Sequence, residues 1–219
     1  MTMKYPCSAI FFDLDGTLLD SVRDLADAAN AALRAFKLPE HPVQAYNYFV
    51  GDGFEALIQR AAPKDAAPEL LQRLMRRAKE GYRQNWAHTS KPYQGIPEML
   101  KELQNRNIPL AVLSNKPHEF TLLTMQHFFP AIRFARIQGS PPGLRAKPDP
   151  ALALEMLQEL GLEAQKVLFM GDTSVDMITA VNAGMIPVGV LWGFRTEEEL
   201  REHGARLILG NAAELFAHI

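Results

Sequence analysis

The sequence predicts an α/β protein: an open parallel sheet with helices on both faces, and a small helical domain inserted after the first strand. Three observations predict it. Short apolar, β-prone runs recur without alternation, as strands buried on both faces require. Longer helical patterns separate them. Residues from about 19 to 92 break this rhythm and carry helical signals alone.

Ser8 to Phe12 forms the first predicted strand. Ser21-x-x-Asp24 reads as a capping box opening a helix, on which Val22, Leu25, Ala29, Leu33 and Phe36 share a face. Phe54, Leu57, Ile58 and Ala61 stripe a shorter helix, and Leu70, Leu74, Ala78 and Tyr82 a further one. Such helices can cover one another, which places a core at 1–18 and 93–219 and a separate helical domain at 19–92. A crossover packed on the sheet is the alternative.

Beyond the insert, Pro97 to Arg106 reads as a helix and Leu110 to Leu113 as a strand. A weak strand falls around Phe134 to Ile137. Pro150 to Leu160 and Thr173 to Ala183 read as helices stopped by Gly161 and Gly184. Strands follow at Val167 to Met170, Pro187 to Leu191 and Leu207 to Leu209. The Thr196-x-x-Glu199 box starts a last helix before Gly204.

Composition excludes several function classes. With 23 Lys+Arg against 25 Asp+Glu the net charge is -2, and no basic run marks a nucleic-acid or membrane footprint. Nowhere do 18 uncharged apolar residues run together. Cys7, the single cysteine, has no internal disulfide partner and reads as a packing residue. These features, with no apolar signal core near the start, give the expectation of a soluble cytoplasmic protein.

In an open parallel sheet, ligands bind beyond the carboxyl ends of the strands. The polar residues there are Asp13, Asp15 and Thr17; then Ser114, Asn115 and Lys116; then Gly171, Asp172, Thr173 and Asp176. Lys147-Pro148 precedes a crossover helix. Each cluster alone could be an N-cap set. Together they are what magnesium-assisted phosphoryl transfer needs: carboxylates for a hard cation, and hydroxyls and a lysine for phosphate oxygens. Paired carboxylates also serve glycoside hydrolysis, but the lysine and hydroxyls favour a phosphate. The six histidines show no metal-ligand spacing, and only His118 lies near a motif.

Asp13-Leu-Asp15-Gly-Thr17, Leu113-Ser114-Asn115-Lys116, Lys147-Pro148 and Gly171-Asp172-Thr173-Ser-Val-Asp176 together resemble the four ordered motifs of the haloacid dehalogenase-like hydrolase superfamily. The resemblance implies a Rossmann-like core and a helical cap domain. It implies Asp13 as nucleophile, Asp15 as general acid and base, and Mg2+ held by Asp13, the main-chain carbonyl of Asp15 and Asp172, with Asp176 in support. Thr17, Ser114 and Asn115 would position the phosphoryl group, and Lys147 would neutralise charge on it and on Asp13. Dehalogenases need no acid two residues after the nucleophile, so Asp15 favours phosphate-ester hydrolysis.

Gly51-Asp52-Gly53 with Leu57 and Arg60, and Val190-Leu-Trp192-Gly-Phe194, are similar to phosphoglycolate phosphatases. Gly53 and Arg60 are thereby candidate substrate contacts, with a turn glycine and a surface arginine as the alternatives. The expected partner is a small phosphorylated metabolite, met by a monomer or homodimer. A sugar-phosphate phosphatase, nucleotidase, pyrophosphatase, β-phosphoglucomutase-type enzyme or non-catalytic phospho-aspartate switch remains an alternative.

Overall fold

The computed structural model describes residues 4–141 and 147–219. The first three residues and 142–146, which the expected core includes, lie outside the described residues.

The apolar run after Ser8 becomes β1 (Ala9–Phe12), with every residue buried. A two-residue β2 (Leu19–Asp20) leads into α1 (Val22–Ala35), α2 (Val43–Phe49), α3 (Phe54–Ala61) and α4 (Pro68–Asn85). The chain returns through β3 (Lys91–Pro92) to α5 (Ile96–Asn105), β4 (Leu110–Pro117), α6 (His118–Phe128) and β5 (Arg136–Ser140). Then come α7 (Ala151–Glu159), β6 (Val167–Gly171), α8 (Ser174–Asn182), β7 (Ile186–Val190), α9 (Glu197–Glu202) and β8 (Leu207–Leu209).

Six strands form one sheet in the order β5-β4-β1-β6-β7-β8, and every pairing is parallel. Because side chains alternate along a strand, β1 divides its residues between two apolar layers. Ile10 and Phe12 join Val112, Met170 and the α5 residues Met99, Leu100 and Leu103 on one face. Ala9 and Phe11 join Leu113, Phe169, the α7 residues Met156 and Leu157, and Ala180 of α8 on the other. Burial on both faces explains the absence of polar alternation in these strands. The weak strand expected at Phe134 to Ile137 forms two residues later, as β5.

Helices α1 to α4 surround a further apolar cluster, including Leu25, Leu33, Tyr46, Leu57, Leu74 and Tyr82, which Phe194 joins from beyond the insert. The chain enters and leaves this insert through an antiparallel ribbon, Leu19 opposite Pro92 and Asp20 opposite Lys91.

The expected capping box at Ser21 and Asp24 does not form. Ser21 Oγ donates to Asp15 instead, at 2.6 Å. The Asp24 carboxylate accepts the N–H and hydroxyl of Thr89 and of Ser90, at 2.6–3.1 Å, which ties the first helix of the insert to its exit. Burial pushes the Asp24 carboxyl up, but these donors outweigh it and hold it below its ordinary value. At Thr196 the hydroxyl does accept the Glu199 N–H, at 3.3 Å.

Candidate active site

Three adjacent strands, β4, β1 and β6, end at one rim, where β1 is flanked by strands that leave in opposite directions along the chain. This is a topological switch point, and loops part there to leave a crevice. Asp13 and Asp15 follow β1, Ser114 to Lys116 close β4, and Asp172 follows β6. Gly16 permits the turn after Asp15: its φ is +92°, and a Cβ there would lie 2.2 Å from Asp172 Oδ2.

Asp13, Asp172 and Asp176 are buried, with one oxygen of each lying within 4.8 Å of the others. Lys147 Nζ lies between two of them, 2.8 Å from Asp13 Oδ1 and 2.6 Å from Asp176 Oδ1. Asp176 receives a hydrogen bond from it, whereas the contact with Asp13 is an ion pair outside hydrogen-bonding angles. Burial would lower the Lys147 ammonium, but the two carboxylates outweigh it and hold it above its ordinary value. Burial pushes Asp13 up to about 7, with Lys147 opposing and Asp176 adding to the rise. Burial, then repulsion by Asp176 and Asp13, pushes Asp172 well above the ordinary carboxylate range.

This electrostatic deficit fits a hard divalent cation. The donors are oxygens only, and Asp13 Oδ1 is a buried oxygen without a hydrogen bond. Asp176 is the most fully engaged, since its Oδ2 accepts the Thr173 N–H at 3.0 Å and hydroxyl at 2.7 Å. Asp172 accepts Thr17 Oγ1–H and the Phe194 N–H, both at 2.9 Å. Its oxygens each keep a lone pair, so Asp13 and Asp172 fit direct ligation best.

Above Asp13 opens a cavity of about 950 Å³. Asp13, Asp15, Ser114, Asn115, Lys116 and His118 line it from the core, and Gly51, Gly53, Phe54, Lys79, Tyr82 and Arg83 from the insert. The Ser114 hydroxyl accepts the Lys116 N–H at 3.3 Å. Asn115 ties two segments together: its Nδ2 donates to Gly51 O at 2.9 Å and to Lys147 O at 3.0 Å, while its Oδ1 accepts the Lys147 N–H at 2.8 Å. Gly53, at φ +88°, passes so close that a Cβ would sit 3.1 Å from Asn115 O.

Two expected substrate contacts are placed differently. Thr17 is fully buried and gives its hydroxyl to Asp172, so it orients that carboxylate rather than meeting the cavity. Arg60 does not line the cavity; its guanidinium donates to Asp52 and to Phe49 O at 3.0 Å, because the loop folds back over α3. Lys116, quoted in a motif but given no role, is the residue that sequence reasoning missed. Its Nζ lies 2.9 Å from each Asp15 carboxylate oxygen and 5.1 Å from the Tyr82 ring centre. Burial opposes its charge, but Asp15 and then Tyr82 outweigh that and hold it above its ordinary value. Its adjacency to Asn115 was the available signal.

Comparison with known proteins agrees with this geometry. A model of the haloacid dehalogenase-like hydrolase family matches residues 10–190. The chain is 31% identical to a phosphoglycolate phosphatase of Haemophilus influenzae over 95% of its own length and 96% of that protein's. It is 34% identical to one of Vibrio cholerae, covering 87% of each. A solved structure described as a predicted phosphoglycolate phosphatase from Haemophilus somnus superposes with a TM-score of 0.88 at 28% identity, over 96% of this chain and 97% of that one. A haloacid dehalogenase-like family protein of Streptococcus pneumoniae shares the fold, with a TM-score of 0.86 at 22% identity over 97% and 98% of the two chains.

Proposed function

Because the chain belongs to the haloacid dehalogenase-like hydrolase family, we propose that it is a Mg2+-dependent phosphatase that hydrolyses a small phosphate monoester through an aspartyl-phosphate on Asp13. The observation that carries this reading is the acidic cluster of Asp13, Asp172 and Asp176 around Lys147, with Asp15 beside it on the cavity wall. Relatives named phosphoglycolate phosphatase, about 30% identical over most of the chain, favour 2-phosphoglycolate as substrate.

Asp13, the main-chain carbonyl of Asp15 and Asp172 would hold Mg2+, with Asp176 in support. Mg2+ bound there would neutralise charge on the carboxylates and on the phosphoryl oxygens. The Asp13 carboxylate attacks phosphorus as the bond to the ester oxygen breaks, and Asp15 supplies the proton that this oxygen takes. Water then attacks phosphorus, Asp15 receives its proton, and the Asp13 carboxylate is regenerated as phosphate leaves. Lys116 and Ser21 hold the Asp15 carboxyl in place on the cavity wall through hydrogen bonds. Lys147 offsets part of the burial that disfavours the Asp13 carboxylate, and Ser114 and the Asn115 segment bind phosphoryl oxygens. Thr17 serves through Asp172, and Arg60 only through Asp52.

Residues 19–92 act as a cap domain, joined to the core by the β2–β3 ribbon, that covers the site and excludes water from it. Its Gly53 loop meets the substrate's non-phosphate end. The absence of a basic surface run supports a metabolite substrate, and no described helix is long and apolar enough to cross a membrane. A cytoplasmic monomer or homodimer is the setting we propose.

Phosphate release from a panel of esters, with and without Mg2+, tests the reading. Mg2+-dependent turnover led by 2-phosphoglycolate supports it. Faster turnover of a sugar phosphate or nucleotide would retain the chemistry and overturn the substrate.

A further inference from the structure

Arg195 lies after β7, in sequence far from the helical insert, yet it is spent on the insert's backbone. Its guanidinium donates to Asn47 O and, at 3.2 Å, to Val50 O. Both carbonyls belong to the C-terminal end of α2, where unpaired carbonyls and the helix dipole favour a cation. The guanidinium also lies 4.7 Å from the Tyr48 ring centre. Glu199, one helical turn on, holds Arg Nε at 3.1 Å, and the arginine side chain is only 8% exposed. An arginine fixed from three sides is not a solvated surface charge.

The residue before it joins the same segment to the acidic cluster. Phe194 N–H donates to Asp172 Oδ2 at 2.9 Å, while its side chain packs in the insert's apolar cluster. Two residues earlier, Trp192 Nε1 donates to Thr17 O at 2.9 Å. The segment 192–195 therefore grips the catalytic rim with one end and the insert with the other.

Immediately after the carbonyls that Arg195 holds comes the loop of Gly51 to Gly53, which lines the cavity and receives Asn115 on Gly51 O. We infer that Arg195 is a positioning residue: it staples the end of α2 to the core so that the Gly51–Gly53 loop stands in register with Asp13 and Asp172. It touches no reacting atom and acts through the loop. The kinetic part of this inference rests on the proposed phosphatase reading; the structural part does not.

Hydrogen exchange and kinetics on the full chain test it with Arg195→Met and Arg195→Lys. Methionine keeps an apolar stem over Tyr48 but donates to neither carbonyl; lysine can reach one of them. The Val50 amide, which donates to Tyr46 O at 3.0 Å, is the probe. In Arg195→Met, exchange across residues 46–53 should quicken about tenfold or more while β1 and β6 amides keep their wild-type rates. Arg195→Lys should fall between. The kcat/KM for 2-phosphoglycolate should drop roughly 10- to 100-fold in Arg195→Met, with a smaller loss for an aryl phosphate.

Unchanged exchange at 46–53 would overturn the inference, as would equal quickening in β1, which would make Arg195 a general stabiliser. Equal kinetic loss for both esters alongside local quickening would remove the link to substrate and overturn the positioning role. If the wild type hydrolyses neither ester, the phosphatase reading fails, and the staple is decided by exchange alone.

Discussion

Lys116 Nζ stands 2.9 Å from both carboxylate oxygens of Asp15, in a contact where the lysine side chain is 3% exposed and the aspartate 12%. A buried ammonium thus accompanies the carboxylate assigned to proton transfer. Removing one partner of a buried pair leaves the other uncompensated, at a cost of roughly 3–5 kcal/mol.

Lys116→Met should therefore lower the melting temperature and reduce kcat/KM about 100-fold or more. Lys116→Arg should recover part of the stability and less of the activity, because the planar guanidinium does not fit where Tyr82 and Asp15 enclose a compact ammonium. Thermal melts and steady-state kinetics on the two variants check this. Wild-type kinetics in Lys116→Met would remove Lys116 from the site.

The metal-free protein should lose stability as pH rises across the Asp13 transition. Its carboxyl is raised from 3.8 in the unfolded chain to about 7 in the fold, so the folded state binds the proton more tightly. That stabilisation is complete below about 3.8 and is lost as pH passes 7. Mg2+ competes with the proton for the same oxygens, so the stabilisation by Mg2+ should grow from pH 5 to pH 8. It should reach about 2.7 kcal/mol when free metal is roughly 100 times its dissociation constant. Melting curves with Mg2+ and with chelator check this, and a Mg2+ effect independent of pH contradicts it.

Asp15→Asn should discriminate between leaving groups. An alkyl ester needs a proton on its departing oxygen, whereas a good aryl leaving group does not. Rapid-quench measurement of the phosphorylation step should show a loss at least about tenfold larger for the alkyl ester. Equal losses would argue against Asp15 as the acid.

Gly53→Val meets two obstacles, a φ of +88° and the Asn115 carbonyl 3.1 Å from the new Cβ. The loop must shift out of the cavity. The kcat/KM for 2-phosphoglycolate should fall roughly 100-fold, and that for an aryl phosphate less. Parallel losses would detach the loop from substrate choice.

The sheet was legible because its strands are buried on both faces and so appear as plain apolar runs such as Ala9-Ile10-Phe11-Phe12. The acidic cluster was legible because Asp13 and Asp172 follow directly after β1 and β6, and Asp176 lies in the first turn of the next helix. α6 was not: it buries Thr121 and Thr124 while Leu122 and Leu123 are 43% and 42% exposed, so its apolar residues do not mark its inner face. Ser21 and Asp24 have the spacing of a capping box, but Asp15, in the turn after β1, claims Ser21, and the distant Thr89-Ser90 pair claims Asp24. Thr17 and Arg60 likewise give their donors to protein partners. Their types suit phosphate and carboxylate, yet Asp172 and Asp52 reach them first. Local spacing cannot reveal a partner 155 residues away.

The most direct test is to trap the covalent intermediate. The protein is mixed with Mg2+ and 2-phosphoglycolate, quenched in acid within the first turnover, digested and weighed by mass spectrometry. The peptide bearing Asp13 should gain the mass of one phosphoryl group, lose it in hydroxylamine, and gain nothing in Asp13→Asn or without Mg2+. Rapid phosphate release under these conditions, with Asp13 never phosphorylated, would contradict the account.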